Sequence, residues 1–335
     1  MSGIAAEKIK YLPGFCETPY LRFTQVATQA YPLQLARGGI LTDVEVAYET
    51  YGMLSPDKDN AILLCHALTG DSHPAAHFSG DREGWWEDLV GPGQLLDTDR
   101  FYIICSNVLG GCRGTTGPAS PEPGGRRPYG PRFPEVTIRD MVQVQKRLLD
   151  QLAISHLVMV VGGSMGGMQA LEWATTYPEF ASGVIVIAAP GYATAQAIAY
   201  SEVGRQVIRL DPEYKGGDYY GGVGPVQGLS IARALGMITY QSEESMTRKF
   251  SRRVRNGRFE IENYLEYQGE CLVKRFDANS YLCLIRAIDL FDLGDDRPSY
   301  TAALAAIKAK LLVVGVSSDI LYPAHQQREL ATAVA

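Results

Sequence analysis

Continuous apolar runs, each followed by a loop, recur along the chain and predict buried β-strands. A run that is apolar at every position needs cover on both faces, which is typical of parallel sheets flanked by helices. Residues 137–152 instead show helical spacing, with Thr137 as the predicted N-cap and Asp140 three positions later. Residues 43–52 alternate apolar and polar positions like a strand. The continuous runs lie in residues 60–70, 99–111, 157–163, 183–190 and 310–323.

This pattern predicts an α/β fold, with a mostly parallel sheet and helices on both faces. The sequence pattern changes at about residue 191. Beyond it, apolar runs typical of buried strands are replaced by helical, tyrosine-rich and charged segments. We therefore expect residues 1–190 and 300–335 to form the core of the fold. Residues 191–299 are expected to form a helical insertion that covers one end of the sheet like a lid.

The sequence GGSMGG (162–167) lies where an apolar strand meets a helix. A G-x-S-x-G turn at such a junction is the signature of a nucleophile elbow, in which tiny neighbours permit a strained bend. The start of the following helix favours a developing oxyanion, so we predict Ser164 as the nucleophile and the Met165 N–H as an oxyanion donor. The alternative is an incidental serine in a glycine-rich turn. Phosphate binding is disfavoured because the Lys-Ser/Thr pair of a P-loop is absent.

A second oxyanion donor is expected from the loop that follows an earlier strand. The sequence CHALTGDSH (65–73) follows an apolar run and fits this position, which makes the Leu68 N–H the predicted donor. His66 lies in the same loop and is expected to shape it rather than to act as the base. His73 and His77 are interpreted as loop or pocket-rim residues, because no metal-like set of partners accompanies them.

The predicted triad acid is Asp319, at the carboxyl end of the last apolar run. It could instead cap the next helix, and Asp295 and Asp296 compete with it from a polar linker. The fold places the catalytic histidine after the acid, on a different loop. Only His325 follows, on the next predicted helix, so the base is predicted to be absent from this chain. We expect the chain to be incomplete, with the base beyond Ala335.

Composition narrows the possible functions. The 335 residues carry a net charge of −6. This excludes the class of proteins that bind nucleic acid through an extensive basic surface. The N-terminal 15 residues contain no apolar run of signal-peptide length, and no segment reaches the roughly 18 apolar residues of a membrane span. The six cysteines show no CxxC and no metal-like spacing, so we expect a cytoplasmic location, no metal and no permanently bound cofactor.

Several longer motifs together resemble the MetX family, the homoserine O-acetyltransferases and close relatives on the α/β-hydrolase fold. The resemblance spans nearly the whole chain from about residue 15 on, and its glycine-rich run is more diagnostic than the elbow alone. The motifs are HALTGD (66–71), NVLGGCRGTTGPAS (107–120), YGPRFP (129–134), VTIRDMV (136–142), GGSMGGMQALEW (162–173) and VGVSSDILYP (314–323).

This resemblance implies a ping-pong acyl transfer from acetyl-CoA, as co-substrate, to the hydroxyl of L-homoserine in methionine biosynthesis. It makes Ser164 the nucleophile, Asp319 the triad acid, and the Leu68 and Met165 N–H groups the oxyanion donors. Arg205 matches the arginine that binds the substrate amino acid, although its helical spacing alone favours a solvated arginine. The family's catalytic histidine has no counterpart here. A homodimer paired through the helical insertion is also implied.

Other activities stay open at this point. Within the family, a succinyl donor or a serine acceptor is an alternative, and a succinyl group would require another cation near the acyl pocket. A generic esterase shares the fold, and a non-catalytic homologue would result if the chain truly ends at Ala335. The preference for transfer over hydrolysis depends on the family resemblance and not on any single residue.

Overall fold

The computed structural model describes residues 18–334, with a seven-stranded sheet at the centre. The strands are β1 Arg22–Ala27, β2 Val44–Tyr51, β3 Ala61–Cys65, β4 Tyr102–Ser106, β5 Leu157–Gly163, β6 Ala181–Ile187 and β7 Lys310–Val314. Their order across the sheet is β1-β2-β4-β3-β5-β6-β7. β2 runs antiparallel to both of its neighbours, β1 and β4. The five strands β3 to β7 are mutually parallel. The predicted α/β class with a mostly parallel sheet is therefore confirmed.

The burial of the strands follows their apolar patterning. β3 (AILLC) and β4 (YIICS) are buried at every residue, as the continuous apolar runs predict. β2 differs from its alternating pattern, because its polar positions are not left facing solvent. Its Glu49 is only 3% exposed, since the loop that contains His73 and His77 covers that face of the strand.

The helices flank the sheet and also fill the interval between β6 and β7. They are α1 Ile138–Gln151, α2 Met165–Thr176, α3 Ala195–Leu210, α4 Val226–Thr239, α5 Glu243–Phe250, α6 Glu260–Val273, α7 Ala278–Asp289, α8 Tyr300–Ala305 and α9 Ala324–Val334. α1 begins at the predicted N-cap, where the Thr137 hydroxyl accepts the Asp140 N–H and the Asp140 carboxylate accepts the Thr137 N–H. α2 is buried along almost its whole length and contacts β5 and β6.

Helices α3 to α7 lie within the interval predicted for the insertion. α3 packs against α4 and α7, and α4 packs against α6. The Asp277 carboxylate caps α7 by accepting the Ser280 N–H, and it also accepts the hydroxyls of Tyr219 and Tyr220. These contacts connect two parts of the insertion that are far apart in the sequence. The exact division into core and lid stays a prediction.

The remaining elements are short. Two-residue strands pair as Leu33–Gln34 with Ile40–Leu41, Val90–Gly91 with Leu96–Asp97, and Val254–Arg255 with Arg258–Phe259, and 3-10 helices cover Gly130–Arg132 and Pro212–Gly217. β7 lies at an edge of the sheet and pairs with β6. None of the described helices combines the length and the apolar character that crossing a membrane requires. The prediction about a signal peptide falls on residues 1–15, outside the described residues.

Candidate active site

Ser164 occupies a sharp bend between β5, which ends at Gly163, and α2, which begins at Met165. Its φ of 56° and ψ of −123° lie where residues with a side chain are seldom found, and such a conformation costs about 1–3 kcal/mol. The Ser164 N–H donates to the Ile187 carbonyl at 2.9 Å, which ties the bend to β6. The predicted strand–turn–helix geometry is thus confirmed, while the nucleophile role stays a prediction.

The glycines around Ser164 are required by close backbone contacts. A Cβ atom on Gly162 would lie 2.1 Å from the Gly166 carbonyl oxygen, and one on Gly166 would lie 2.0 Å from the Cys65 carbonyl oxygen. A Cβ atom on Gly167 would lie 2.6 Å from that of Ala189. Gly163 is different, because its nearest neighbour would be at an ordinary 3.7 Å. Three of the four glycines therefore let the elbow touch its surroundings through bare backbone.

The predicted site residues meet at one cavity of about 360 Å³. Ser164, Leu68 and Asp319 all line it, although they come from the end of β5, the loop after β3 and the turn after β7. The Met165 N–H begins α2, where the first N–H groups of a helix have no intrahelical partner. The structure therefore brings together Ser164, Leu68 and Asp319, which are far apart in the sequence, with Met165 next to Ser164. Their catalytic roles stay predictions.

Asp319 makes the contacts of a turn cap in this structure. Its Oδ1 accepts the N–H groups of Leu321 and Tyr322, both at 2.9 Å. This is close to the alternative interpretation from the sequence, but it leaves Asp319 on the wall of the Ser164 cavity. The competing acids are elsewhere: Asp295 pairs with Arg37 at 2.6 Å, and neither it nor Asp296 lines that cavity.

Comparison with known proteins identifies the family. A profile of the α/β-hydrolase fold matches residues 60–334. Homoserine O-acetyltransferase from Symbiobacterium thermophilum is 54% identical over 92% of this chain and 84% of that protein. The chain belongs to the homoserine O-acetyltransferase family. The homoserine O-acetyltransferase from Methanosphaerula palustris is 52% identical over 93% of this chain, but the chain spans only 65% of that relative.

Solved structures with the same fold include both a transferase and an esterase. Homoserine O-acetyltransferase from Bacillus anthracis superposes with a TM-score of 0.86 at 26% identity, over 94% of this chain and 88% of that chain. Esterase E22 superposes with a TM-score of 0.85 at 31% identity, over 94% of this chain and 89% of that chain. The predicted α/β-hydrolase fold is therefore confirmed.

None of the five histidines of this family member hydrogen-bonds Ser164 in the described structure. His66 contacts the backbone of its own and a neighbouring loop, His156 contacts Ser182, and His325 is exposed on α9. Burial raises the pKa of the Tyr322 phenol, and its interaction with the Ser164 side chain offsets part of that rise. The predicted position of the base, beyond Ala335, lies outside the structure and stays a prediction.

Arg205 lies away from the Ser164 cavity. Its Nε donates to Glu202 at 2.8 Å, and its Nη1 pairs with the buried Asp289. It lines a different cavity, together with Arg209 and other residues. Both sides of its guanidinium are therefore occupied by carboxylates of the chain itself. The predicted substrate-binding role of Arg205 stays a prediction that these ion pairs do not support.

Arg233 is a cation that the sequence analysis missed. It is half-buried on α4, and its Nε is buried without a hydrogen-bond partner among residues 18–334. Its guanidinium carbon lies 5.8 Å from the ring centroid of Tyr240, which lines the Ser164 cavity. The pKa of the neighbouring Arg275 is lowered, mainly by burial and secondly by repulsion from the charge of Arg233. The sequence ARALGMITY places Arg233 and Tyr240 two helical turns apart, but such spacing alone does not separate a site from a solvated face.

A smaller cavity of about 60 Å³ adjoins Ser164 beneath the insertion. It shares Ser164, Leu68 and Tyr322 with the larger cavity, and α3, α4 and α7 supply most of its wall. Of the described residues that line it, none carries a charged side chain. This part of the site is therefore small and uncharged, which suits a short neutral acyl group.

Glu49, His73 and His77 form the described group that could supply ligands to a metal ion, because their ligand atoms lie within 4.8 Å of one another. Their distances are those of hydrogen bonds: His73 Nδ1 and His77 Nε2 lie 2.8 and 2.7 Å from the same Glu49 oxygen. His73 Nε2 also faces the Arg82 carbonyl at 2.6 Å. With an acceptor at each ring nitrogen, His73 holds two protons. The group is thus accounted for as a buried ion pair.

The pKa values of this pair move in the directions that such an ion pair requires. Burial alone would raise the pKa of Glu49, but hydrogen bonds from His73 and His77 outweigh it and lower the value from 4.5 to about 2. Burial alone would lower the pKa of His73, but its bonds to Glu49 and to the Arg82 carbonyl raise it above 6.5. Each partner therefore favours the charged form of the other.

Alanine at Gly162 is expected to lower the free energy of unfolding by about 3 kcal/mol, because the backbone of the elbow would have to shift. Alanine at Gly163 is the matched control, and we expect a change within about 1 kcal/mol. Urea denaturation of both variants measures the difference. Equal losses at the two positions would contradict the role given to the backbone contact.

Glu49→Gln is expected to destabilise the fold by about 3 kcal/mol between pH 4.5 and 6.5. The contribution of Glu49 is present above pH 4.5 and is lost as the pH falls towards 2. That of His73 is full below pH 6.5 and is lost as the pH rises through its raised pKa. Urea titrations across pH, with Glu83→Gln at an exposed position of the same loop as the control, measure this window. A difference that does not vary with pH would contradict the ion pair.

Proposed function

We propose that this chain transfers an acetyl group from acetyl-CoA to the hydroxyl of L-homoserine, giving O-acetyl-L-homoserine through an acyl-Ser164 intermediate. The observation that carries the proposal is the strained elbow that holds Ser164 in one cavity with Leu68. The 54% identity to a homoserine O-acetyltransferase supports the choice of substrates. The product would feed methionine biosynthesis, with no permanently bound cofactor. A homodimer and a cytoplasmic location complete the proposal.

In the first half-reaction, the Ser164 hydroxyl oxygen attacks the thioester carbonyl of acetyl-CoA and the C–S bond breaks. The Leu68 and Met165 N–H groups stabilise the negative charge that develops on the carbonyl oxygen. The serine proton passes to a base and then to the departing CoA thiolate. In the second half-reaction, the homoserine hydroxyl attacks acetyl-Ser164, and its proton returns to the serine oxygen by the same route.

We assign Asp319 the role of orienting that base. An acid in this role holds an imidazole in one tautomer and stabilises the cation formed when the serine proton is taken. Two N–H groups of its own turn fix one oxygen of Asp319, so the carboxylate has a defined position on the cavity wall. The base itself is not assigned to any of the five histidines of this chain.

The smaller cavity favours an acetyl over a succinyl donor. The free carboxylate of a succinyl group would need a cation, yet none of the described residues that line this cavity is charged. Among the described residues that line the larger cavity, Asp319 is the charged one, and its negative charge would repel a second carboxylate. An acetyl group places nothing charged against these walls. The acyl group is therefore assigned to the smaller cavity.

We assign Arg233 the role of binding the α-carboxylate of homoserine. It forms no ion pair with a carboxylate among the described residues, and its buried Nε has no hydrogen-bond partner there. Its guanidinium carbon lies 5.8 Å from the ring centroid of Tyr240, which is 43% exposed and lines the Ser164 cavity. A turn of the Tyr240 ring would join the guanidinium to the cavity. Arginine matches a carboxylate with two parallel N–H donors.

A generic esterase is the second candidate, and the structural likeness to esterase E22 favours it. Both activities share the acyl-serine intermediate and differ in whether water or an acceptor hydroxyl attacks it. The choice between them is therefore a matter of the acceptor, which can be supplied or withheld in an assay.

Release of CoA beyond the first equivalent per Ser164 is expected only when homoserine is added, because homoserine must clear the acyl group from the serine. Thiol release is followed with a chromogenic disulfide, with serine as a second acceptor and succinyl-CoA as a second donor. Ser164→Ala is expected to remove the activity, because no acyl-enzyme can form. CoA release at the same rate without homoserine would favour the esterase and contradict the proposal.

Arg233→Ala is expected to raise the KM for homoserine by about 10- to 100-fold, because a hydrogen-bonded charge pair contributes about 1.5–3 kcal/mol. The KM for acetyl-CoA should stay unchanged. Arg205→Ala is the matched control, since it should leave the KM for homoserine unchanged but lower the thermal stability by leaving the buried Asp289 unpaired. A raised KM in Arg205→Ala alone would reverse the assignment.

A further inference from the structure

The Leu68 N–H can act as an oxyanion donor only if the peptide that joins Ala67 to Leu68 is turned the right way. The Ala67 carbonyl oxygen lies 2.8 Å from Nδ1 of the His66 ring. A carbonyl oxygen can only accept, so Nδ1 donates its proton to it. Because a peptide bond is planar and trans, the Leu68 N–H points away from the carbonyl held by His66. The His66 ring is buried and does not line the cavity, whereas Leu68 does.

The surroundings allow His66 only one tautomer. Its Nε2 accepts the Val108 N–H at 3.1 Å, so this nitrogen carries no proton. The Asn107 amide also donates to Nε2 at 3.1 Å, and its oxygen is oriented by the Arg113 N–H at 3.1 Å. The proton of the neutral ring must therefore be on Nδ1. Burial lowers the pKa of His66, which keeps the ring neutral.

The carbonyl groups on either side of this peptide are also held from outside the cavity. The Gln169 side chain donates to the His66 carbonyl at 3.2 Å, and Arg275 donates to the Thr69 carbonyl at 2.7 Å. Gln169 is fixed in turn by Gln145, whose amide donates to it at 2.7 Å. The Ala67 carbonyl itself also accepts the Gly70 N–H at 2.9 Å, so a backbone turn bond helps to restrain the rotation of the 67–68 peptide. Among the described residues, His66 is the side chain that bonds this carbonyl directly.

We propose that His66 is a positioning residue of the oxyanion hole, which through its single neutral tautomer holds the Ala67 carbonyl and so aims the Leu68 N–H at the reacting carbonyl. It takes no proton from Ser164 and does not touch the substrate. This inference rests on the proposed function, because it assigns His66 to the oxyanion site of the same acyl transfer.

Two isomeric amide substitutions separate this role from a merely structural one. Asparagine places its amide nitrogen near the position of Nδ1, so His66→Asn keeps a donor for the Ala67 carbonyl. Glutamine reaches the position of Nε2, so His66→Gln keeps an acceptor for the Val108 N–H and loses the Nδ1 donor. A purely structural role would favour His66→Gln, because it preserves the connection between the two loops.

Relative to the unaltered protein, kcat is expected to fall about 100-fold in His66→Gln, which is the loss typical of one oxyanion donor. In His66→Asn, kcat is expected to fall less than about 10-fold. The KM for homoserine should change little in either variant, because oxyanion contacts act in the transition state. Equal kcat values for the two variants, or a higher one for His66→Gln, would overturn the proposal.

The same variants are also compared on p-nitrophenyl acetate, which forms the same oxyanion without homoserine, and by crystallography. Loss of homoserine-dependent transfer in the unmodified protein, with p-nitrophenyl acetate still cleaved, would refute the proposed function but leave the test of His66 intact. The crystal structure of His66→Gln should show the 67–68 peptide rotated or disordered, and that of His66→Asn should not. An unrotated peptide in His66→Gln would overturn the role of His66 whatever the activities.

Discussion

The arrangement of the site depends on a contact between three backbone segments that have no side chain between them. At the junction of β3, β5 and α2, Cβ atoms on Gly162 and Gly166 would lie about 2 Å from carbonyl oxygens of neighbouring segments. This closeness brings the loop after β3 against the start of α2. As a result, Leu68 reaches the same cavity as Ser164. Any side chain at the contact would move the oxyanion donor away from the nucleophile.

Beneath this contact lies a buried polar network that makes it rigid. Trp173 donates to Gln145 at 2.7 Å, Gln145 donates to Gln169 at 2.7 Å, and Gln169 reaches both the His66 and the Met165 carbonyls at 3.2 Å. The network therefore connects α1 and α2 to the loop that carries Leu68. Buried polar groups that are mutually bonded have few alternative arrangements, so they specify one geometry. In this protein, the specified geometry is that of the proposed oxyanion site.

Local features of the fold could be predicted from the sequence, while features that depend on distant residues could not. The capping box at Thr137, the buried strands and the elbow are each encoded within a few consecutive residues. The environment of Arg205 is not, because its partner Asp289 lies 84 positions away and is brought near only by the packing of α3 on α7. Burial of Glu49 likewise depends on a loop more than 20 residues further along. The pattern of polar and apolar residues along a chain indicates which face of a strand or helix is polar. It does not indicate which distant segment of the chain covers that face.

The backbone of Ser164 has a consequence for how this protein can evolve. A glycine at that position would adopt the same φ without strain, so the most stable sequence for this bend is one without a hydroxyl group. Selection for robustness alone would therefore remove the reactive side chain. Its presence in a strained position means that the rest of the fold must hold enough reserve stability to tolerate it. Mutations that erode this reserve elsewhere should become harmful sooner than in a relative with a relaxed turn.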